Sequence, residues 1–490
     1  MLVYRTQAEE IDPALEIRRL RTSPRIDVLM RLGEIESAVC DLGHPAAPAL
    51  RRAILAAARG HTALDELAAC ELPGRIRVSV PEGYAYYALY PEMYAEAARR
   101  FYRAVRPERA VVIGIRSIGT SLSAVVAAAL EDCGCEVDSW TVRPRGHPFH
   151  RMLELEHPID SRPGTHYAIV DEGPGLSGTS LTSVAAALGL PDERISFFPS
   201  WLPDRSAFLS QAARERWRRH ARWAVAFEEV LPCPAPDDIS AGKWRERFSN
   251  GAAWPAVQPQ HERRKYLGRD FIARFAGLGR FGRARLARAE QLAAAGFAPE
   301  PLGLDNGFLH LRLVRGGTPQ LDRDLLDAMA RYLRFLAAQP ESPRGVTFDG
   351  LLEMIEVNTG RAGPLEPFRR AFEDAKSVAI DGRMLPHEWL RTETGFVKTD
   401  ALDHHDDHFF PGPQNIAWDV AGACVEWDLD THATEYLAAR CGDAGLAARL
   451  PFYRIAYSAF RAGYAALASQ ALAGTPDAAR FEALARRYRR

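Results

Sequence analysis

From Ile17 to about Leu72, apolar residues recur at helical spacing in an Ala-, Leu- and Arg-rich background, as in ALRRAILAAARGHTALDEL. This pattern predicts a helical lead-in over residues 1–80. After Pro81, four tyrosines crowd into EGYAYYALYPEMY, and a helix follows that ends near RAVRP. The pattern then turns to short β-branched runs separated by Gly/Ser turns. RAVVIGIRSIGTSLSAVVAAALEDCG reads as strand, turn and helix, CEVDSWTVRP as a strand, HYAIVDEGPGLSGTSLTSVAAALGL as strand, turn and helix again, and RISFFPSWLP as a further strand. Strands alternating with helices predict an α/β, doubly wound parallel sheet over residues 81–202. Ligands of such sheets sit beyond the carboxyl ends of the strands, where both glycine turns fall.

Residues 203–260 read as a helical, proline-punctuated bridge containing LPCPAPDD. Over 261–490 a second, α+β domain is expected. Its strands DFIARFAG and GFLHLRLVRGG surround the helix RARLARAEQLAAAGF, and from Leu321 helices dominate, interrupted by GFVKTDALDHHDDHFF. No internal repeat is visible.

A length of 490 residues fits two or three domains, and a hydrophobic content of 47% is ordinary for globular proteins. Lys+Arg 62 against Asp+Glu 63 gives no overall reason to expect nucleic-acid or membrane-surface binding. RERWRRHAR and the final RRYRR are the local exceptions, and they read as solvated arginine-rich faces. The seven cysteines are scattered, with Cys133-Gly-Cys135 as the one close pair, and no signal peptide or long apolar run accompanies them. A reducing cytoplasm is therefore expected, with the thiols as bystanders.

Gly173-x-Gly175-x-x-Gly178 matches a dinucleotide loop. Its context argues otherwise, because the nearest downstream acids, Asp192 and Glu193, precede the next strand. Asp171 and Glu172 at the strand end would also repel a pyrophosphate. The stretch suits a ligand with a vicinal diol at one end and a phosphate at the other. Carboxylates accept from sugar hydroxyls or hold magnesium, and Ser177, Gly178, Thr179 and Ser180 open a helix whose amides favour an anion.

An apolar strand, an acid pair and a Thr/Gly-rich loop resemble the phosphoribosyl-pyrophosphate motif of the type I phosphoribosyltransferase family, over about residues 80–200. The resemblance implies phosphoribosyl pyrophosphate and Mg2+ as ligands, with Asp171 and Glu172 on the ribose and Ser177–Ser180 on the 5′-phosphate. It further implies that Arg116, Ser117, Gly119 and Thr120 of GIRSIGTSL form the pyrophosphate turn, and that Arg145, His147 and Arg151 of VRPRGHPFHR close over it. Gly175 stands where purine-salvage members carry an extra acid, so the acceptor base is not readable. Tyr84, Tyr86, Tyr87 and Tyr90 are either a ring-stacking surface or ordinary core.

The span DGRMLPHEWLRTETGFVKTDALDHHDDHFFPGPQNIAWDVAG holds Asp381, His387, Glu388, Asp400, Asp403, His404, His405, Asp406, Asp407 and His408. Adjacent His and Asp residues point to opposite faces of a strand, so they cannot all serve one ion. The order of small strand-rich lobe, helical lobe and Asp-bearing loops resembles the aminoglycoside phosphotransferase and protein-kinase-like family over about 260–490. That resemblance implies ATP and Mg2+, Asp381 as base, and Glu388 with Asp400 or Asp403 as metal ligands. It implies Lys265 or Arg274 as the nucleotide-binding cation paired with Glu290, and Asp419 as a structural brace. Arginine at 274 departs from the family's lysine, and the Asp381 to Glu388 spacing is longer than usual.

Together these readings predict a bifunctional cytoplasmic transferase acting on small molecules, with phosphoribosyl transfer in the first half and phosphorylation in the second. The alternative is a nucleotide-sensing regulatory protein that turns nothing over. Neither a nucleic-acid nor a membrane partner is expected, and monomer and dimer both stay open.

Overall fold

The structure, a computed structural model, describes residues 8–489 apart from positions 62, 148, 176, 204–207, 209, 250–253 and 361–362. The chain forms two compact units. One is Ala8–Cys233 with Gly277–Phe281; the other is Pro234–Ala276 with Gly282–Arg490. The lead-in expected over 1–80 and the sheet expected over 81–202 thus share one unit, and the expected bridge is divided between the two.

In the N-terminal unit, β1 (Glu9–Ile11) and β2 (Ile76–Val78) pair antiparallel. A second sheet contains β3 (Arg109–Ile115), β4 (Glu136–Val142), β5 (Thr165–Val170), β6 (Ile195–Phe198) and β7 (Ala221–Arg222). Its order is β4-β3-β5-β6-β7, and every neighbour is parallel. β3 and β5 are almost wholly buried, as strands covered on both faces must be, and this is why they read as unbroken apolar runs. A side chain at Gly114 would collide with Ser123 of the helix Ile118–Asp132, so glycine lets that helix lie close on the sheet. Beyond β6, Phe197 stacks on Trp217 at 5.5 Å and closes the core under the helix Gln211–Arg219.

The chain leaves β3 for β4 and then crosses back to β5 on the other side. The strand order therefore reverses between β3 and β5, and a crevice opens at their carboxyl ends. The segments leaving those two ends are the Ser117 turn and the Asp171 loop.

In the C-terminal unit, β8 (Asp237–Asp238), β9 (Lys265–Leu267), β10 (Phe271–Phe275), β11 (Pro301–Asp305) and β12 (Phe308–Arg312) form an antiparallel sheet in the order β11-β12-β10-β9-β8. The helix Arg280–Ala294 links β10 to β11. A short hairpin, β13 (Trp389–Thr392) and β14 (Gly395–Lys398), separates Asp381 from Asp400 in the chain. The helix Arg323–Ala337 shows how the surrounding lobe forms: Asp322 caps it by accepting from the Leu325 N–H at 2.9 Å, and Leu325, Met329, Tyr332, Leu333 and Leu336 recur on its buried face. The ten-residue helix Ala417–Glu426 is buried along most of its length. Its last residue, Glu426, accepts from Tyr457 Oη at 2.8 Å, Tyr488 Oη at 2.8 Å and Arg461 Nε at 3.1 Å, which ties in the final helix, Pro476–Tyr488. A carboxylate opposes the dipole at a helix C-terminus, and Arg461 and the two phenols offset that cost.

No helix among the described residues is long and apolar enough to cross a membrane. All seven cysteines are free.

Candidate functional site

At the crevice of the N-terminal unit, the turn after β3 carries a backbone outlier. Ser117 has φ 131° and ψ −127°, a region that side-chain-bearing residues rarely adopt. Such strain costs on the order of 1–3 kcal/mol and persists only where neighbours over-determine it. Here Ser37, on the helix Arg25–Asp41, does so: its Oγ accepts from the Ser117 N–H at 3.3 Å and lies 2.7 Å from Thr120 Oγ1. Arg51 adds a donor to the Thr120 carbonyl at 3.0 Å and another to Ser123 Oγ at 3.0 Å. Arg116 is buried, and its guanidinium is committed to Asp41 at 3.1 Å and to Thr141 O at 3.3 Å, with Glu156 at 3.5 Å. The Arg116 side chain thus braces the turn, and the donors left to a ligand are the amides that open the helix Ile118–Asp132.

Gly119 sits where this turn meets the end of β5. A Cβ there would lie 2.7 Å from the Val170 carbonyl oxygen and 3.5 Å from Asp171 Oδ1. Backbone cannot yield as a flexible side chain does, so Gly119→Ala is expected to cost about 1–2 kcal/mol. Chemical denaturation of the purified variant checks this, with the loss appearing in the N-terminal unit's transition.

The Asp171 loop is held from several sides. Tyr94 Oη donates to the Asp171 carbonyl at 2.8 Å, the Glu172 N–H donates to Asp171 Oδ1 at 2.9 Å, and the Gly83 N–H donates to Glu172 Oε2 at 3.1 Å. Burial pushes Asp171 up to about 6, against the Glu172 N–H and the Arg151 charge. Burial, then Glu82 and then Asp171 push Glu172 up to about 8. Three carboxylates thus crowd one crevice in a way that a divalent cation or donated sugar hydroxyls would relieve. Past the acids, Ser177 Oγ lies 3.0 Å from Thr179 Oγ1, Thr182 Oγ1 donates to the Gly178 carbonyl at 2.8 Å, and the helix Thr179–Leu188 begins. Gly178 needs its positive φ of 65°, and the Phe208 ring packs where a side chain would stand. At Gly175 a Cβ would meet nothing within 4 Å, so crowding does not explain the missing acid.

Of the tyrosines, Tyr84, Tyr86 and Tyr90 are buried: Tyr84 Oη bonds Ser121 Oγ at 2.9 Å and Tyr90 stacks on Phe227 at 5.7 Å. They are core rather than an open stacking surface. Tyr87 is half-buried, edge-on to Tyr86. In the segment after β4, Arg145 and His147 are exposed and Arg145 pairs its backbone with Met152, while Arg151 donates to the Pro144 carbonyl at 3.1 Å. Arg151 is the member of this segment whose charge reaches Asp171.

The C-terminal unit gathers a second site. Asp381 is 0% exposed. Its Oδ2 accepts from Tyr332 Oη at 2.7 Å and lies 3.1 Å from Lys398 Nζ, and its Oδ1 lies 3.4 Å from His404 Nδ1. Asp419 fixes the backbone beneath it, accepting from the Asp381 and Gly382 N–H groups at 2.8 Å each. Lys398, the last residue of β14 and 0% exposed, also donates to Glu388 Oε2 at 2.8 Å. Arg383 bridges Glu388 at 2.9 Å and Asp400 at 3.0 Å. Glu388, Asp400 and His404 place ligand-type atoms within 4.8 Å of one another. Burial and Arg383 oppose protonation of His404, yet Asp400 and Asp381 push it up to about 9. It therefore stands as a cation beside the acids, and the carboxylates of Glu388 and Asp400 are the oxygens suited to a hard divalent ion. Asp400 Oδ1 is buried and faces Arg274 Nη2 at 3.3 Å.

Asp403 is linked to that pair through Arg274 but sits deeper among arginines. It is 1% exposed and bound by Arg274 Nη2 at 2.6 Å and Arg263 Nε at 3.2 Å, with Arg285 Nε at 3.8 Å. Of the two metal-ligand candidates after β14, Asp400 is the one joined to Glu388, through Arg383, while Arg274 Nη2 touches both Asp400 at 3.3 Å and Asp403 at 2.6 Å. Arg274 reaches the cluster from β10, whereas Lys265 pairs with Glu262 at 3.4 Å. Glu290 is exposed and has no ion pair among the described residues, because the inward face of its helix carries Arg285 and Arg288 instead. The expected cation–Glu290 pairing is absent, and a cation–Asp403 pairing stands in its place.

No family model matches the chain, and no curated protein matches it. Solved structures align with about half of it. A choline/ethanolamine kinase family protein from Mesorhizobium loti is 16% identical, covering 46% of this chain and 83% of its own, with a TM-score of 0.35. The choline kinase LicA from Streptococcus pneumoniae is 14% identical, covering 50% and 96%, with a TM-score of 0.32. The macrolide 2′-phosphotransferase MphH from Brachybacterium faecium is 16% identical, covering 46% and 89%, with a TM-score of 0.31. At such identities and TM-scores these likenesses do not bear on the chemistry of this chain.

Lys398, Arg383 and Tyr332 escaped sequence reading, as did Arg263 and Arg285, whereas His404 was named in the His/Asp run without a role of its own. Lys398 carries the clearest signal in retrospect, since GFVKTD places a lysine at an inward position of a short strand between two acids.

Proposed function

We propose that the chain is a two-site transferase: its C-terminal unit moves a phosphoryl group from a nucleoside triphosphate to a small-molecule hydroxyl, and its N-terminal unit binds a ribose 5-phosphate-type ligand, with phosphoribosyl pyrophosphate the chemistry that suits it. One observation carries the first half. Asp381, pinned through two backbone amides by Asp419, meets Asp400, delivered by the β13–β14 hairpin, in a single cluster with Glu388 and Lys398. In this reading Asp381 accepts the proton of the acceptor hydroxyl and Glu388 and Asp400 hold Mg2+, whose bound charge would stabilise the transferring phosphoryl group. Arg383, which now bridges those two carboxylates, has to move aside for the ion. In the N-terminal unit, support comes from the acid pair and the two helix N-termini that meet where the strand order reverses.

A second reading, sensing without turnover, is favoured by the complete burial of Asp381 under Tyr332, Lys398 and His404. Steady-state ATP consumption with Mg2+ and a panel of amino alcohols and sugars separates the two. Asp381→Asn should lower any turnover by roughly 100-fold or more while leaving ATP binding in place. Binding without turnover in the wild type would establish the sensing reading. For the N-terminal unit, the parallel measurement is phosphoribosyl pyrophosphate binding and its loss in Asp171→Asn.

A further inference from the structure

The arginines around Asp403 belong to three rigid places: Arg263 just before β9, Arg274 on β10, and Arg285 on the helix Arg280–Ala294. All three are buried. The acids they meet come from one short irregular segment. Besides the three guanidiniums on Asp403, Arg285 Nη2 lies 3.2 Å from Asp406 and Arg263 Nη2 lies 2.6 Å from Asp407. A framework of fixed cations thus faces a loop carrying three aspartates, and only these anions sit on a segment without regular strand or long helix.

Planar guanidiniums spaced along a groove match the oxygens of a phosphate chain, each taking two parallel hydrogen bonds. Asp403, Asp406 and Asp407, with Asp400 at 3.3 Å from Arg274 Nη2, use that capacity incompletely: Arg274 Nε is buried and has no hydrogen-bond partner among the described residues. We propose that Arg263, Arg274 and Arg285 form a binding site for a polyphosphate chain, and that the segment Asp403–Asp407 fills it as an internal anion until such a ligand displaces it. The choice of a nucleotide's phosphates as the natural ligand rests on the phosphotransferase reading; the competition between loop and polyanion does not. Displacement would also free His404, which belongs to the same segment and lies 3.4 Å from Asp381, so filling the anion site and removing one of the three side chains that cover Asp381 become one event.

When a binding-competent state is a small fraction of the population, apparent affinity falls by that fraction, so neutralising the competing anion in Asp403→Asn should tighten binding by about tenfold or more. The experiment is isothermal titration of the full chain with inorganic triphosphate, without metal or acceptor, for wild type and Asp403→Asn. In parallel, hydrogen exchange of the wild type is followed with and without triphosphate, which keeps the test decisive if Asp403→Asn fails to fold. The expected results are tighter binding in the variant and faster exchange at the Asp403–Asp407 amides of the wild type on saturation. Equal or weaker binding in a folded variant, absence of triphosphate binding in both proteins, or unchanged exchange in a saturated wild type would overturn the proposal. Tightened triphosphate binding without ATP turnover sinks the phosphotransferase reading and leaves this site standing; ATP turnover with unchanged triphosphate affinity does the reverse.

Discussion

Replacing Lys398 with methionine should destabilise the C-terminal unit by about 3–5 kcal/mol, the usual cost of removing one partner from a buried ion cluster. The loss is large because Lys398 Nζ is shared by Asp381 at 3.1 Å and Glu388 at 2.8 Å, both buried, and neither can reach water once the ammonium is gone. Lys398→Met keeps most of the stem's volume, so packing contributes little and the effect is electrostatic. Guanidinium denaturation followed through the C-terminal unit's tryptophans measures it. Pairing it with Asp381→Asn supplies the control: if the charge argument is right, the double variant recovers part of the loss, and simple additivity refutes it.

Glu172→Gln should do the opposite, and only at high pH. Glu172 is raised to about 8 by burial and by the neighbouring Glu82 and Asp171 carboxylates. In the unfolded chain it ionises near its ordinary value of about 4.5, so between those two values the native state holds a proton that the unfolded state has released. Stability contributed by that proton is present at low pH and is lost as pH rises towards 8. Glutamine mimics the protonated form at every pH. The variant should therefore match the wild type near pH 4.5 and exceed it by about 3 kcal/mol above pH 8, taking about 1.4 kcal/mol for each pH unit and discounting for partial exposure. Amide exchange in β5, read at several pH values, reports the N-terminal unit directly. A constant difference between the two proteins across that range would contradict the assignment.

The parts of the molecule legible in the sequence were those set by backbone chemistry. A β-branched run followed by small residues and an alanine-rich helix has few ways to pack, and RAVVIGIRSIGTSLSAVV became β3, the Ser117 turn and the helix Ile118–Asp132 where expected. The Asp171–Glu172 pair and Asp400 stood out for the same reason, since each follows the end of a short strand. What stayed hidden was the choice of partner. Periodicity shows that a helix face is buried but not what it meets, so Glu290 looked like the inward charge of its helix while Arg285 and Arg288 held that face. Arg116 looked like a ligand donor because nothing in its own neighbourhood revealed Asp41, which arrives from a helix 75 positions earlier. The tyrosines failed as a stacking surface through the same long-range packing, and the arginine set around Asp403 needed three separate elements to be seen together.

The helix Ala417–Glu426 carries an acid near each end, and each acid grips a different neighbour. Asp419 holds the amides beneath Asp381; Glu426 holds Tyr457, Arg461 and Tyr488. Seven residues of α-helix separate the two grips by about 10 Å of rigid rod. The helix is thus a lever whose far handle is Tyr488, in the last turn of the chain's final helix, so whatever shifts that terminal helix also shifts the floor under Asp381.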